Sequence, residues 1–443
     1  MKLFIRDHPR AIALATDTHV LILRHSASSV NDSRNASTTS ISEGGTPRCI
    51  VEFSPWEGQD MSGFRSLTSM KVQGTLGLVT INSDVFLCVV NASSHVATVR
   101  PGETVQRILS VEFHCLTKPD YDHLLNDQVN PFPTDSLDVD GRDYGGHREP
   151  LLEHPCMALK KLLSGGSFYY SADFDLTKRL QDRPTEGSTV AVESLDAGFL
   201  WNTFMIQPLV EFRSRLSERE KHALDQSKIL TSAIRGFAST VTVPASSSPA
   251  RMRVAGFPSN MTLISRLSCR RAGTRFNARG VDDDGNVANF VETETIFCTD
   301  NICFSYVQVR GSVPLFWEQA SGLPGQQKIT ITRSVEATKP AFDKHFDHLA
   351  KAYGDIFVVN LLSDEKSQEV QITRQYLQHI NESTLNASRS QNGSSEHTHL
   401  QHLNYDFHAQ TRGPNGYEAA SGIKRWIEDS AISFEYFLSL IHI

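Results

Sequence analysis

The sequence predicts a fold in two parts, a strand-rich α+β part followed by an α/β part. Its 443 residues exceed what one ordinary hydrophobic core holds. Several short apolar runs separated by polar turns occupy the N-terminal half, whereas helical and strand patterns alternate toward the C-terminus. We therefore expect a β-rich N-terminal subdomain over 1–200 and a second subdomain over 201–443. The second would hold a β-meander over 262–318 and an α/β portion over 334–440.

Local turn and cap signals support several elements. In LGLVTINSDVFLCVV, the polar triplet Asn82, Ser83 and Asp84 interrupts an apolar run, which predicts a β-hairpin. The segment PCMALKKLLSGG has the pattern of a short helix that ends at its glycine pair. Ser217 and Glu220 have the spacing of a capping box, which predicts a helix start.

The meander contains a segment rich in arginine. In RAGTRFNAR, the odd positions Arg271, Arg275 and Arg279 would share one face of an extended strand. The Asp284–Gly285 pair is a strong hairpin signal, and VANFVETETIF then reads as the partner strand. This pattern predicts an arginine face on a β-sheet.

Helices and strands alternate in the last third of the chain. Phe342, Phe346, Leu349 and Tyr353 have helical spacing, and Gly354 follows as a stop signal. The compact apolar run IFVVNLL is typical of a strand buried on both faces. A further amphipathic stretch, a strand in LNYDFH and a helix in GIKRWIEDSAISFEYFLSL complete the pattern. Such an order predicts parallel strand pairing.

Composition indicates a cytoplasmic chain without a nucleic-acid partner. The net charge of −7 gives no general attraction to nucleic acid. No uninterrupted apolar run reaches the roughly 18 residues of a membrane-spanning helix. Arg6, Asp7, His8 and Arg10 interrupt the region where a signal peptide would be apolar. Seven irregularly spaced cysteines fit free thiols in a reducing compartment, and no motif indicates a metal or cofactor.

Cys269 and Arg275 match the spacing of the phosphate-binding loop of cysteine-dependent phosphatases. That loop directs several backbone N–H groups at one phosphate and precedes a helix N-terminus, which favours the anion and the thiolate. Here the residues after Arg275 read as the end of a strand, and Phe276 stands where Ser or Thr would follow. We expect Cys269 to be a chance match and the chain to contain no catalytic residue.

The arginines themselves leave two interpretations open. Five lie within fourteen residues: Arg266, Arg270, Arg271, Arg275 and Arg279. Arg271, Arg275 and Arg279 are candidates for binding a phosphorylated substrate. The other interpretation is a solvated strand face, or ion pairs with Glu292 and Glu294 on the neighbouring strand.

The wider context resembles a known family. Two segments are similar to the core of Sac-domain phosphoinositide phosphatases, CRRAGTRFNARGVDDDGNVANFVETE and VQVRGSVPLFWEQ. The N-terminal segment and the sequence of this core are most similar to fungal synaptojanin-type proteins. FYYSADFDLTKRLQ, FLWNTFMI, FDKHFDHLAKAYGDIFVVNLL and YDFHAQTRG resemble flanking segments. Motif residues of unassigned role are Asn289, Glu292, Arg310, Trp317, Asp406 and His408. The resemblance implies hydrolysis of phosphate from phosphatidylinositol phosphates through a cysteinyl-phosphate intermediate, without a metal, by a protein peripherally bound to phosphoinositide-containing membranes.

The catalytic loop of that family is missing from these residues. The family's nucleophile lies in a C-x5-R-T/S loop, and no cysteine follows Cys303. We therefore expect an incomplete, C-terminally truncated phosphatase-like subdomain that is inactive by itself. Apolar side chains near its end, Trp426, Ile427, Phe434 and Phe437, would then be exposed. The alternative function is a non-catalytic fragment that binds a membrane or a protein.

Overall fold

The computed structural model describes most of the chain. It describes residues 1–25, 38–43, 46–67, 71–122, 124, 154–183, 194–244, 246–247, 259–273, 278–299, 302–320, 328–383, 385, 400–433 and 437–440. They form two compact units. The first comprises Met1–Ile264 and Ile296–Cys303, and the second comprises Ser265–Thr295 and Phe304–His442.

The first unit begins with a six-stranded antiparallel sheet. Its strands are β1 (Lys2–Arg6), β2 (Ala11–Ala15), β3 (His19–His25), β4 (Thr38–Glu43), β5 (Thr46–Pro55) and β6 (Arg65–Ser66). They lie in the order β4-β5-β3-β2-β1-β6, so consecutive strands mostly pair as hairpins. Every residue of β2 is buried, which requires apolar neighbours on both of its faces.

A second antiparallel sheet follows in the same unit. Its strands are β7 (Gly74–Ile81), β8 (Asp84–Thr98), β9 (Thr104–Cys115), β10 (Phe168–Tyr170) and β11 (Ile234–Val243). The hairpin predicted at Asn82–Asp84 is confirmed between β7 and β8. Asn82 and Ser83 have φ angles of 51° and 69°, the left-handed pair that a tight two-residue hairpin turn requires.

Three helices accompany these sheets. They are α1 (Met157–Leu163), α2 (Thr203–Ser214) and α3 (Glu218–Ser227). The predicted helix in PCMALKKLLSGG is α1. The predicted capping box is also present, because the Ser217 side chain accepts from the Glu220 N–H and the Glu220 side chain accepts from the Ser217 N–H.

The long strand β8 separates two buried clusters in the first unit. Leu87 and Val89 pack in the cluster that includes Leu209 and Phe212 of α2. Their neighbours on the opposite face, such as Phe86, pack in a different cluster with α1 and β10. The period of two along a strand thus joins one sheet to two apolar cores.

The sheet continues through the predicted meander. Its strands are β12 (Ser259–Leu267), β13 (Val291–Cys298) and β14 (Ile302–Arg310), which follow β11 in chain order across the sheet. Cys298 and Cys303 form a disulfide across the turn that joins β13 and β14, so the expectation of seven free thiols was wrong for this pair. The other five cysteines form no disulfide.

The second unit contains helices packed against short strands. Its remaining elements are β15 (Trp317–Gln319), β16 (Ile329–Ile331), α4 (Val335–Tyr353), β17 (Ile356–Asn360), α5 (Ser367–Asn381), β18 (Leu400–Asn404), α6 (Phe407–Thr411), α7 (Lys424–Ser433) and β19 (Phe437–Leu440). The predicted helix through Phe342 and Phe346 is α4, and both phenylalanines are buried beside Ile372 of α5. Gly354 caps it as expected.

Strands β17 and β18 pair in parallel, as the alternation of helix and strand predicted. The strand predicted in LNYDFH was misplaced, because β18 includes only Leu403 and Asn404 of that segment and Phe407 begins α6. The expectation that IFVVNLL would be buried on both faces was wrong, because only Asn360 of β17 is buried. Among the described residues, β18 is the sole strand paired with β17, and the first four residues of β17 are only half-buried. The single helix predicted for GIKRWIEDSAISFEYFLSL was also wrong, since α7 ends at Ser433 and β19 begins at Phe437.

The chain is thus a mixed α+β protein whose N-terminal part consists largely of antiparallel sheets. In α7, Trp426 is 69% exposed as expected, whereas Ile427 is half-buried instead of exposed. Phe434 and the Phe437 side chain lie outside the described residues. No helix within the described ranges is long and apolar enough to cross a membrane.

Candidate functional site

The described ends of the arginine segment, 268–273 and 278–280, are turn and loop, not the strand that the sequence predicted. Strand β12 ends at Leu267, and the chain then turns at Arg270 and Arg271. The Ser268 hydroxyl accepts from the Arg270 N–H at 3.2 Å, and Arg271 has a φ of 42°, which an extended strand excludes. Arg275 lies outside the described residues. The predicted shared face of Arg271 and Arg279 therefore does not exist, since neither residue is in a strand.

Arg266 is paired with the two glutamates that the alternative interpretation named. Its guanidinium donates to Glu292 at 3.0 Å and to Glu294 at 2.7 Å, and all three side chains are buried. The Tyr353 hydroxyl donates to Glu292 and the Ser305 hydroxyl to Glu294, each at 2.7 Å. Burial lowers the pKa of Arg266, but the charges of Glu294 and Glu292 outweigh burial and raise it overall. The ion pairs of Arg266 with both glutamates thus link β12 to β13.

Arg279 contacts strand β15, and Arg271 contacts the backbone of Arg279. The Arg279 guanidinium lies over the Trp317 ring, 5.5 Å from its centroid, and donates to the Gln319 side chain at 2.8 and 3.1 Å. Arg271 donates from Nη2 to the Arg279 carbonyl at 2.6 Å. Asn289, with a φ of 55°, donates to the backbone next to Arg279. These contacts stabilise the loop and give Trp317 and Asn289 a structural role.

The other motif residues lie on separate elements. Arg310 is the exposed last residue of β14. Asp406 caps α6 by accepting from the Ala409 N–H at 2.8 Å, and this hydrogen bond lowers the pKa of the Asp406 carboxyl. Asp406 also accepts from the Ser363 hydroxyl at 3.0 Å, while His408 on the same helix is exposed.

Cys269 is half-buried, lies two residues after the end of β12 and forms no disulfide. The described residues that follow it, 270–273 and 278–280, are turn and loop, and no helix begins there. A helix N-terminus is the feature that would stabilise a phosphate and a thiolate at such a position.

A polar cleft opens where this loop faces α4. It has a volume of about 430 Å³ and is lined by Arg270, Asp284, Asn286, Lys344 and His348. Three elements of the second unit supply these residues: the loop after β12, the turn at 282–286 and one face of α4.

The predicted Asp-Gly turn fixes one wall of this cleft. Asp282 accepts from the backbone N–H groups of Asp284 at 3.0 Å and Asn286 at 2.8 Å, and Gly285 has a φ of 83°. A Cβ on Gly285 would lie 2.8 Å from the backbone nitrogen of His345, so only glycine fits against α4. His345 donates from Nδ1 to the Gly285 carbonyl at 3.0 Å, which fastens the turn to the helix.

Positive charge dominates the cleft. Lys344 donates to the Asp283 carbonyl at 2.9 Å, and the Asp283 carboxylate is paired outside the cleft with Arg333. The Arg270 guanidinium makes no hydrogen bond or ion pair with the residues described. Asp284 is the acid among the five lining residues, against two permanent cations. The cleft is therefore a candidate anion-binding site.

Sequence reasoning missed this group. It predicted the Asp-Gly turn and the helix, yet it did not bring Arg270 together with Lys344 and His348. One signal was present, because Lys344 and His348 are four residues apart and so share a helical face turned away from Phe342 and Phe346.

Comparison with known proteins identifies the class. Residues 73–412 match the SacI homology domain, and the chain belongs to this family. It is 39% identical over 438 residues to inositol-1,4,5-trisphosphate 5-phosphatase 1 of Schizosaccharomyces pombe, covering 99% of this chain and 37% of that protein.

Two further relatives extend the comparison. The chain is 36% identical over 443 residues to polyphosphatidylinositol phosphatase INP53 of Saccharomyces cerevisiae, covering 99% of this chain and 36% of that protein. It is 39% identical over 232 residues to human synaptojanin-2, covering 51% of this chain and 14% of that protein. The chain thus spans little more than a third of the two fungal relatives.

Proposed function

We propose that this chain is part of a phosphoinositide phosphatase, which hydrolyses phosphate from phosphatidylinositol phosphates. The observation that carries the proposal is the SacI homology match over residues 73–412, together with two similar fungal proteins named as inositol or phosphatidylinositol phosphatases. The α/β portion over 334–440 belongs, in this proposal, to the catalytic subdomain. The protein acts from the cytoplasm at a phosphoinositide-containing membrane surface, with no metal, cofactor or nucleic acid required.

The proposed chemistry proceeds in two displacements at phosphorus. A cysteine thiolate attacks the phosphate monoester, a P–S bond forms, and the P–O bond to the inositol breaks. The departing inositol oxygen takes up a proton, and water then displaces the thiolate to release inorganic phosphate. Backbone N–H groups and an arginine stabilise the charge on the phosphoryl oxygens during both steps.

We further propose that the 443 residues by themselves do not turn over substrate. Cys269 with Arg275 is the one C-x5-R spacing in the sequence, and Phe276 follows it in place of Ser or Thr. The loop and turn after Cys269 supply no helix N-terminus among the described residues. This favours the second candidate function for the isolated chain, which is binding to a phosphoinositide membrane or a protein without catalysis.

The test is phosphate release from vesicles of phosphatidylcholine with phosphatidylinositol 4-phosphate. The Saccharomyces cerevisiae polyphosphatidylinositol phosphatase is the positive control, and the Cys269→Ser variant is the matched negative control. We expect no release above the blank from the 443-residue chain, and co-sedimentation with phosphoinositide vesicles in preference to phosphatidylserine vesicles of equal charge.

Two results would overturn these proposals separately. Turnover that disappears in Cys269→Ser would refute the inactivity of the chain and make Cys269 the nucleophile. Equal binding to phosphoinositide and phosphatidylserine vesicles would refute recognition of the phosphorylated headgroup.

A further inference from the structure

The cleft formed by Arg270, Asn286, Lys344 and His348 has the features of a site for a phosphorylated ring. Its charged groups come from separate elements and converge on one concavity of about 430 Å³. Ligand sites of small molecules have volumes of roughly 300–1,000 Å³. The concavity is therefore large enough for a sugar-sized headgroup.

The cations that line the cleft retain hydrogen-bonding capacity. Lys344 uses one of its N–H groups on the Asp283 carbonyl at 2.9 Å, so two remain. The Arg270 guanidinium has no bonding partner in the described part of the chain. An arginine fork with a nearby ammonium group suits phosphate oxygens, which accept several charge-assisted hydrogen bonds at once.

The remaining lining groups distinguish a phosphorylated ring from a simple anion. The Asn286 amide nitrogen already donates to the Asp282 carboxylate at 3.1 and 3.3 Å, so its carbonyl oxygen is the group left to accept. The His348 imidazole donates or accepts hydrogen bonds, and the Asp284 carboxylate accepts them. Inorganic phosphate in its dianionic form carries a single O–H group that could donate to Asp284. An inositol ring carries hydroxyl groups that donate to such a carboxylate while its phosphates bind the cations.

We infer that this cleft binds the phosphorylated inositol headgroup of a phosphoinositide, with Arg270 and Lys344 as the phosphate-binding residues. The inference rests on the proposed function for the choice of headgroup. The cleft itself follows from the arrangement of the loop after β12, the turn at 282–286 and α4.

The experiment compares two double variants of the full 443-residue chain. Arg270→Gln/Lys344→Gln removes both cations of the cleft. Arg374→Gln/Lys351→Gln removes the same charge from exposed positions on α5 and α4 that do not line it. Both are measured by calorimetry with myo-inositol 1,4-bisphosphate and with inorganic phosphate, and by co-sedimentation with phosphatidylinositol 4-phosphate vesicles. Circular dichroism and thermal unfolding confirm that each variant is folded.

We expect the cleft variant to weaken binding of the bisphosphate and the vesicles by about tenfold or more, because two charge-assisted contacts are lost. The surface variant should change either affinity by less than about threefold. Equal losses in both variants, or no loss in the cleft variant, would overturn the inference while leaving the proposed function intact. If the unmodified chain fails to bind phosphoinositide vesicles, this inference fails together with the membrane-binding function proposed for the isolated chain. Inorganic phosphate binding as tightly as the bisphosphate would refute the assignment to a headgroup.

Discussion

Removing the charge of Arg266 should destabilise the second unit strongly. The Arg266 and Glu294 side chains are fully buried, and Glu292 is 3% exposed, so none of these charges has access to solvent. Breaking a buried ion pair from one side costs about 3–5 kcal/mol, because the remaining charge is left uncompensated. Arg266→Met leaves two carboxylates without their cation. We therefore expect a loss of at least about 3 kcal/mol in the free energy of unfolding.

The assay is urea unfolding followed by circular dichroism, with two comparison variants. Arg374→Met makes the same change at an exposed position and should cost less than about 0.5 kcal/mol. Arg266→Met/Glu292→Gln/Glu294→Gln removes all three charges but keeps carbonyl oxygens that accept from Tyr353 and Ser305. This triple variant should recover at least half of the lost stability.

The single variant should also depend on pH differently from the unmodified protein. Protonation would neutralise the two carboxylates left in the interior, so the difference in stability between Arg266→Met and the unmodified chain should shrink as pH falls. A loss below about 1 kcal/mol, or a triple variant no more stable than the single one, would refute the view that Arg266 compensates two buried charges.

Four further substitutions test local features of the fold. Burial lowers the pKa of His345 from 6.5 to about 4. Because the unfolded chain then binds a proton more readily, the free energy of unfolding should fall by about 3 kcal/mol as pH falls from 6.5 toward 4. His345→Gln should remove this pH dependence, measured by urea unfolding at several pH values. Gly280→Ala should cost about 2–4 kcal/mol, because φ is 66° and the new Cβ would lie 2.3 Å from the Leu315 carbonyl oxygen. Gly102→Ala, with a φ of 82° and no atom of the described residues within 4 Å, should cost about 1 kcal/mol. Urea unfolding measures both glycine variants. Ser217→Ala should cost about 1 kcal/mol by loss of the cap, measured by urea unfolding, and an unchanged midpoint would contradict that role.

Sequence reasoning succeeded where one short segment determines the structure. The turn at Asn82–Ser83, the cap at Ser217 and the helix stop at Gly354 each depend on residues within a few positions of one another. The helix α4 was equally predictable, because the spacing of its apolar residues indicates directly that one face is buried.

It failed where the outcome depends on a few torsion angles or on distant contacts. Alternation in RAGTRFNAR looks like a strand, but the Ser268 hydroxyl and the left-handed Arg271 end the strand first. The buried state of Arg266 could not be distinguished from a surface pair, because that depends on the sheet around it. Arg270 and Lys344 meet in one cleft although no local pattern relates them.

The packing of α4 also determines how rigid the cleft is. Phe342 and Phe346 are buried in the core on one side of this helix, while Lys344 and His348 lie on the cleft. The helix backbone beneath those two side chains is therefore immobilised when the core forms. The backbone entropy lost in placing them is lost during folding, so an anion that enters the cleft has only the rotamers of these exposed side chains left to fix. A core substitution such as Phe346→Ala should consequently loosen the cleft as well as the core, although it touches neither cation.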